Sequence, residues 1–160
     1  MTIYLATDHA GFELKEKIKA YLIEKKFTVK DCGATSFVPS DDYPDYISLA
    51  ATAVAKSPKD FGIIFGGSGQ GEAMVANRFH GVRATVFYGP EKMLASTNGE
   101  SVESTDPYEI IRLSREHNNA NMLSIGARFV SFEEAKEAVS LWLRTGFPKN
   151  ERHLRRIKKF

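Results

Sequence analysis

The sequence predicts an α/β fold of the doubly wound kind, a five-stranded parallel sheet with helices on both faces (Rossmann-like). Three observations predict it. Five short apolar runs alternate with longer helix-like segments along the chain, the pattern of βα units whose sheet is covered on both sides. The third run, Phe61–Phe65, breaks into a glycine-rich turn that leads into a helix, the place where open α/β sheets hold their ligands. No linker, repeat or low-complexity tract divides the 160 residues, so one domain, 1–160, is expected.

The elements follow in order. Ile3–Ala6 reads as the first strand, with Thr7-Asp8-His9-Ala10-Gly11 as its turn. Phe12–Lys26 places Phe12, Ile18, Tyr21 and Leu22 among lysines and glutamates, an amphipathic helix. Phe27–Val29 is the second strand, closed by Asp31-Cys32-Gly33. Asp41-Asp42-Tyr43-Pro44 starts a helix that continues through Tyr46–Lys56 on Ile47, Ala50, Ala51 and Val54. Phe61–Phe65 is the third strand, followed by a helix from about Gly71 to Arg78, and Val82–Phe87 is the fourth strand. Tyr88–Asp106 interrupts the rhythm with Gly, Ser, Thr and Glu, although Glu91–Ala95 suits a helical turn. Pro107 fits the first turn of a helix running to Glu116. Met122–Ile125 is the fifth strand, and Ser131-Phe132-Glu133-Glu134 is a capping box opening the next helix. Gly146-Phe147-Pro148 ends that helix, and the basic tail, about 150–160, reads as helical.

Composition narrows the function classes. Apolar and charged fractions of 42% and 26% are those of a soluble globular protein. The net charge of +2 gives no reason to expect nucleic acid. A single cysteine, Cys32, excludes an intrachain disulfide and fits a reducing compartment. The N-terminal run is too short for a signal peptide, and no run approaches the ~20 apolar residues of a membrane span. A cytoplasmic protein without a membrane anchor is expected.

The turn Gly66-Gly67-Ser68-Gly69-Gln70-Gly71-Glu72 resists the familiar glycine motifs. Its third glycine falls one residue early for a dinucleotide fingerprint, and it has no lysine for a Walker A loop. It also lacks the closing glycine of a hydrolase elbow. What remains is a nest of backbone N–H groups at a helix start, with the hydroxyl of Ser68 and the carboxylate of Glu72 at its edge. Glu72 alone reads more readily as a dipole-complementing surface residue. Asp8 and His9 follow a strand end and face the same sheet edge as Glu72. His117 ends a helix, where it would complement the dipole, and Arg152 and Arg156 stand four apart on one face of a basic tail. Arg128 follows another strand end. Taken singly these residues have ordinary explanations; their gathering at strand ends, near a tail able to meet a phosphate, points to a site. His80 and Cys32 carry no motif. The histidines lack zinc-site spacing such as His-Glu-x-x-His, so no metal or organic cofactor is expected.

A resemblance covers nearly the whole chain. Thr7–Phe12, Asp31-Cys32-Gly33, Asp42-Tyr43-Pro44, Gly66–Glu72 with Ala76-Asn77-Arg78, Gly81–Ala84, Ser114–Asn121, Ile125–Arg128 and Arg152–Arg156 carry it in order. On these stretches the chain resembles the ribose/galactose-6-phosphate isomerase family, in its ribose-5-phosphate isomerase B branch. One part of the family uses a cysteine just before the glycine turn as its base; the other has glycine there and a glutamate after the turn. Gly66 and Glu72 match the second.

The resemblance implies an aldose–ketose isomerase of the pentose phosphate pathway, acting on ribose 5-phosphate through an enediolate. It implies Glu72 as the base between C1 and C2, Ser68 as the hydroxyl moving protons between oxygens, and His117 as the ring-opening group. It makes Asp8, His9, Gly67, Gly69, Gln70, Gly71 and Asn118 sugar-binding, and Arg128, Arg152 and Arg156 phosphate-associated. It also implies a homodimer, or a pair of dimers, with sites at the subunit interface. An extra segment, about 89–105, departs from the family pattern and keeps a six-carbon sugar phosphate as the alternative substrate. A non-catalytic sugar-phosphate binding module is the reading from another class.

Overall fold

The computed structural model describes residues 1–94 and 104–160. Strands β1 (Thr2–Thr7), β2 (Thr28–Asp31), β3 (Phe61–Gly66), β4 (Ala84–Phe87) and β5 (Met122–Gly126) form one parallel sheet, in the order β2-β1-β3-β5-β4. The helices are α1 (Phe12–Glu24), α2 (Tyr43–Ala55), α3 (Gln70–Ala76), α4 (Glu109–Glu116), α5 (Phe132–Arg144) and α6 (Glu151–Ile157), with a 3₁₀ turn at His9–Gly11.

Side chains on a strand alternate between faces, and here each face has its own core. Ile3, Leu5, Ile63, Phe65, Leu123 and Ile125 pack against α1, α4 and α5 through Ile18, Ile111 and Trp142. Ala6, Ile64 and Met122 pack on the other face against Ile47, Ala50 and Val54 of α2 and Ala76 of α3. Direction and face are linked. Steps from β1 to β2 and from β4 to β5 run one way along the sheet and use the first face. Steps from β2 to β3 and from β3 to β4 run the other way and use the second, as right-handed crossovers require. The reversal lies between β1 and β3, so the crevice of the sheet opens there.

The expected elements form, with shifts at their ends. The capping box at Ser131 and Glu134 is present, and Pro44 occupies the first turn of α2. The fourth strand starts at Ala84 rather than Val82. Val82 N–H turns back to Phe79 O at 3.0 Å and Arg83 N–H goes to Asn121 Oδ1 at 2.7 Å, so neither feeds the ladder. Glu91–Leu94 form no helical turn; Glu91 N–H instead donates to Pro107 O at 2.8 Å. Residues 95–103, which hold most of the expected insertion and the end of that turn, lie outside the described residues.

One buried ion pair sets the corner beside the crevice. Lys15 is fully buried, and its ammonium meets both Asp31 oxygens at 2.8 and 2.7 Å and Ala34 O at 2.7 Å. Burial would raise the Asp31 carboxyl, but hydrogen bonds from Lys15, Lys19 and Gly33 N–H outweigh it and hold the group below its ordinary value. The corner so fixed exchanges backbone bonds with β1, Thr7 N to Gly33 O at 2.8 Å and Ala34 N to Thr7 O at 2.7 Å. Those bonds extend the pairing of β1 to the residue before Asp8. Among the described residues, no helix is long and apolar enough to cross a membrane.

Candidate active site

Register brings the site loops to one level. Thr7 pairs with Phe65, and Gly66 with Gly126, so the loops leaving β1, β3 and β5 emerge side by side. They are stitched together. The Thr7 hydroxyl donates to Phe65 O at 3.0 Å, Ala127 N–H to Gly66 O at 2.8 Å and Arg128 N–H to Gly67 O at 3.2 Å. Between them opens a cleft of about 470 Å³ lined by Asp8, His9, Gly67, Ser68, Gly71, Glu72 and Arg128, with Tyr43 and Phe129 at its sides.

Glu72 is the third residue of α3 and is 5% exposed. Its carboxylate folds back onto the end of β3. A Cβ built on Gly66 would lie 1.9 Å from Glu72 Oε1 and 2.0 Å from its carboxyl carbon. Glycine at 66 is therefore what lets the carboxylate sit where a side chain from position 66 would otherwise stand. Burial pushes the Glu72 carboxyl up, its own backbone N–H pulls it back, and the charge of Asp8 adds to the rise; the net shift is upward.

The glycine turn is held by β5. Gly69, in the left-handed region at φ 75°, is the N-cap of α3. Its carbonyl accepts the Ser124 hydroxyl at 2.6 Å. The Ser68 hydroxyl accepts Gln70 N–H at 3.3 Å and borders the cleft. Arg128 lies over Gly67, where an added Cβ would approach its guanidinium carbon at 3.2 Å. On the β1 side, Asp8 is buried and accepts Ala10 N–H at 2.9 Å. His9 Nδ1 lies 2.7 Å from Asp41 Oδ1 and 3.9 Å from Asp8 Oδ2. Among the described residues, Asp8, His9 and Asp41 are the group whose donor atoms come within 4.8 Å of one another in the manner of a metal site. The 2.7 Å separation is hydrogen-bond length, shorter than the ~3.3 Å between two ligands of a tetrahedral zinc.

The expected residues do not all gather here. The Gln70 side chain meets the Tyr88 hydroxyl rather than the cleft. His117, Asn118, Arg152 and Arg156 do not share the strand-end edge with Glu72. His117 caps α4, and the chain then runs through Asn121, whose carbonyl accepts Gly62 N–H at 2.9 Å, into the first residue of β5. That is the amino edge of the sheet, about 13 Å of strand from Gly66. Side-chain hydrogen bonds hold the loop there. Arg83 Nε donates to Asn118 O at 3.1 Å and Asn119 O at 2.9 Å, and Arg115 bonds to Thr145 O at 3.1 Å and Asn119 Oδ1 at 3.2 Å. Burial and the nearby Arg83 charge lower the Arg115 guanidinium to about 10. The α6 tail joins the same edge. His153 stacks on His117 with ring centroids 4.2 Å apart, and burial, then His117 and the flanking arginines, lower its imidazole. Arg152 and Arg156 are exposed beside it. The chain thus carries two separate sets, Asp8–His9–Ser68–Glu72–Arg128 at the carboxyl edge and His117–Asn118–Arg152–Arg156 at the amino edge.

Sequence reasoning passed over Asp41, Tyr43 and Ser124. Tyr43 stood in a motif read as a helix start, and its hydroxyl would lie 2.6 Å from a Cβ at Gly71, covering the first turn of α3. Ser124 is one polar residue inside a buried strand, a signal that calls for a partner.

The sequence profile of the Ribose/Galactose Isomerase family matches residues 3–100 and 101–160. Ribose-5-phosphate isomerase B of Mycolicibacterium paratuberculosis is 40% identical over 157 residues, 98% of this chain and 87% of that one. The Escherichia coli protein of the same name is 37% identical over 156 residues, 98% and 91% of the two chains. Among solved structures, the Mycoplasma genitalium ribose-5-phosphate isomerase B with bound ribulose-5-phosphate aligns with a TM-score of 0.84 and 35% identity, covering 99% of this chain and 92% of that one. The Thermotoga maritima enzyme aligns at 0.83 and 39%, covering 99% and 95%.

Two outcomes follow from the Gly66–Glu72 packing. Gly66→Ala should displace the carboxylate and abolish any chemistry that depends on Glu72, while circular dichroism stays native. Glu72→Gln should raise the melting temperature at pH 8 and leave it unchanged near pH 4. A carboxyl raised in the fold costs nothing while protonated in both states and destabilises as pH climbs through its folded value. A melting temperature at pH 8 equal to wild type would show that the burial costs nothing.

Proposed function

The chain belongs to the ribose/galactose isomerase family, and from that premise we propose that it interconverts D-ribose 5-phosphate and D-ribulose 5-phosphate, the isomerisation step of the pentose phosphate pathway. The observation that carries the reading is the Glu72 carboxylate, buried at the end of β3 in the space left by Gly66 and shifted upward toward a proton-accepting range. In the open-chain aldose the Glu72 carboxylate takes the proton from C2, and the C–H electron pair becomes the C1–C2 double bond as the carbonyl electrons move to O1. The proton of the C2 hydroxyl passes to O1, a transfer assigned to Ser68, and Glu72 returns its proton to C1 as the carbonyl forms at C2. Backbone donors of the Gly67–Gly71 turn face the developing oxyanion, where one preorganised donor is worth ~3–4 kcal/mol. Asp8 and His9 hold hydroxyls, and Arg128 lies within reach of the same cleft.

His117 opens the furanose ring and Arg152 and Arg156 hold the phosphate in this account, which one chain cannot do at both edges of its sheet. A second copy, its amino edge set against the first copy's carboxyl edge, completes each site. A homodimer, alone or paired into a tetramer, therefore forms the enzyme. A six-carbon sugar phosphate is kept as a second reading because the chain leaves for the extra segment at Tyr88, whose ring lies edge-on to Phe129 at the side of the cleft, 6.3 Å between centroids. A cytoplasmic location accords with the single half-buried cysteine.

Kinetics on ribose 5-phosphate, allose 6-phosphate and galactose 6-phosphate test the substrate, with the highest kcat/KM expected on ribose 5-phosphate and an acid limb above the ordinary glutamate range. A profile in which a hexose phosphate leads would transfer the assignment to it. Subunit mixing tests the shared site. Glu72→Gln and His117→Ala proteins, each impaired alone, should regain about a quarter of wild-type activity after subunit exchange, since half the dimers are mixed and one of their two sites is intact. Persistent inactivity of the exchanged mixture would place both residues in the same subunit's site.

A further inference from the structure

Asp41 lies in the turn between β2 and α2, and its side chain is 7% exposed. One of its oxygens, Oδ1, accepts the backbone N–H of His9 at 2.9 Å and stands 2.7 Å from His9 Nδ1. A backbone N–H donates only and an ionised carboxylate accepts only, so Nδ1 must carry its hydrogen toward Asp41. That leaves Nε2 as the ring nitrogen open to a ligand. The ring is clamped rather than merely bonded. Phe37 packs edge-on against it at 6.2 Å, and Asp41 is itself tied down by its N–H to Val38 O at 3.1 Å. His9 lines the cleft alongside Asp8 and Gly67.

We propose that Asp41 is a positioning residue for this reaction, one that acts through His9 by fixing its Nδ1–H tautomer and presenting Nε2 to the sugar phosphate. The proposal rests on the isomerase reading. Asp41 stands one residue before the Asp42-Tyr43-Pro44 stretch that carries the family resemblance. A neutral histidine side chain free in water prefers the opposite tautomer, with the hydrogen on Nε2, so an enforced Nδ1–H form is a readout that structural packing alone would not supply. Loss of Asp41 frees the ring to turn and to exchange tautomers, which weakens substrate binding more than turnover.

The test combines two measurements on the full chain. Nitrogen-15 NMR of the histidine rings, with the His9 signals assigned by their loss in His9→Ala, should show Nδ1–H for neutral His9 in wild type and in Asp41→Asn, which keeps an acceptor, and Nε2–H in Asp41→Ala. Steady-state kinetics should show KM raised about tenfold in Asp41→Ala with kcat much less affected, the scale of one lost charge-assisted hydrogen bond. In a His9→Ala background the same change should have no further effect. An Nε2–H ring in wild type, an unchanged KM in Asp41→Ala, or additive losses in the double variant would each overturn the proposal. If Asp41→Ala does not fold, Asp41→Asn decides alone, since loss of the Nδ1–H signal there refutes the acceptor role. Absence of isomerase activity in the wild type would sink the functional reading, while the ring tautomer would still report whether Asp41 holds His9.

Discussion

Because Thr7 pairs with Phe65 and Gly66 with Gly126, the loops leaving β1, β3 and β5 begin at one level of the sheet. A slip of one residue in any of these strands would exchange its two faces and destroy both cores. The two cores therefore hold the register, and the register holds the site. The interstrand bonds from Ala127 and Arg128 to Gly66 and Gly67 continue the ladder past the strand ends, so the glycine turn is an extension of the sheet rather than a free loop. Lys15 and Asp31 do the same for the β1 side, at the desolvation cost that any buried ion pair carries.

Burying Glu72 under this arrangement sets stability against chemistry. A solvated glutamate in the first turn of α3 would favour the helix dipole and cost nothing. Folded back over Gly66, it loses water and gains a neighbour of like charge in Asp8. The same loss makes it a better base. The absence of a side chain at 66 is part of that bargain, because a thiol there and a carboxylate from position 72 would claim the same space. In this structure a side chain at 66 and the observed place of the Glu72 carboxylate therefore exclude each other for steric reasons.

Much of the fold was legible because local signals agree with it. The apolar runs of β1, β3 and β5, the capping box at Ser131, and Pro44 and Gly69 at helix starts each act within a few residues. Strand order was not legible, since β5 inserts between β3 and β4 through contacts distant in sequence. Asp8, Ser68, Glu72 and Arg128 could be grouped from the sequence because all follow carboxyl ends of strands. His117 and Asn118 were grouped with the strand ends, although a helix that closes just before a parallel strand ends at the opposite, amino edge of the sheet. Asp41 read only as part of a helix start, since its contact with His9 spans thirty-two positions.

The proposed isomerisation turns on a single proton. Ribose 5-phosphate incubated with the enzyme in deuterium oxide isolates that step, since proton loss at C2 and return at C1 pass through one exchangeable carboxyl group. Wild type should place solvent deuterium at C1 of ribulose 5-phosphate, and Glu72→Gln, folded and able to bind the sugar phosphate, should place none. Deuterium entering at the wild-type rate in Glu72→Gln would contradict the assignment of Glu72 as the base.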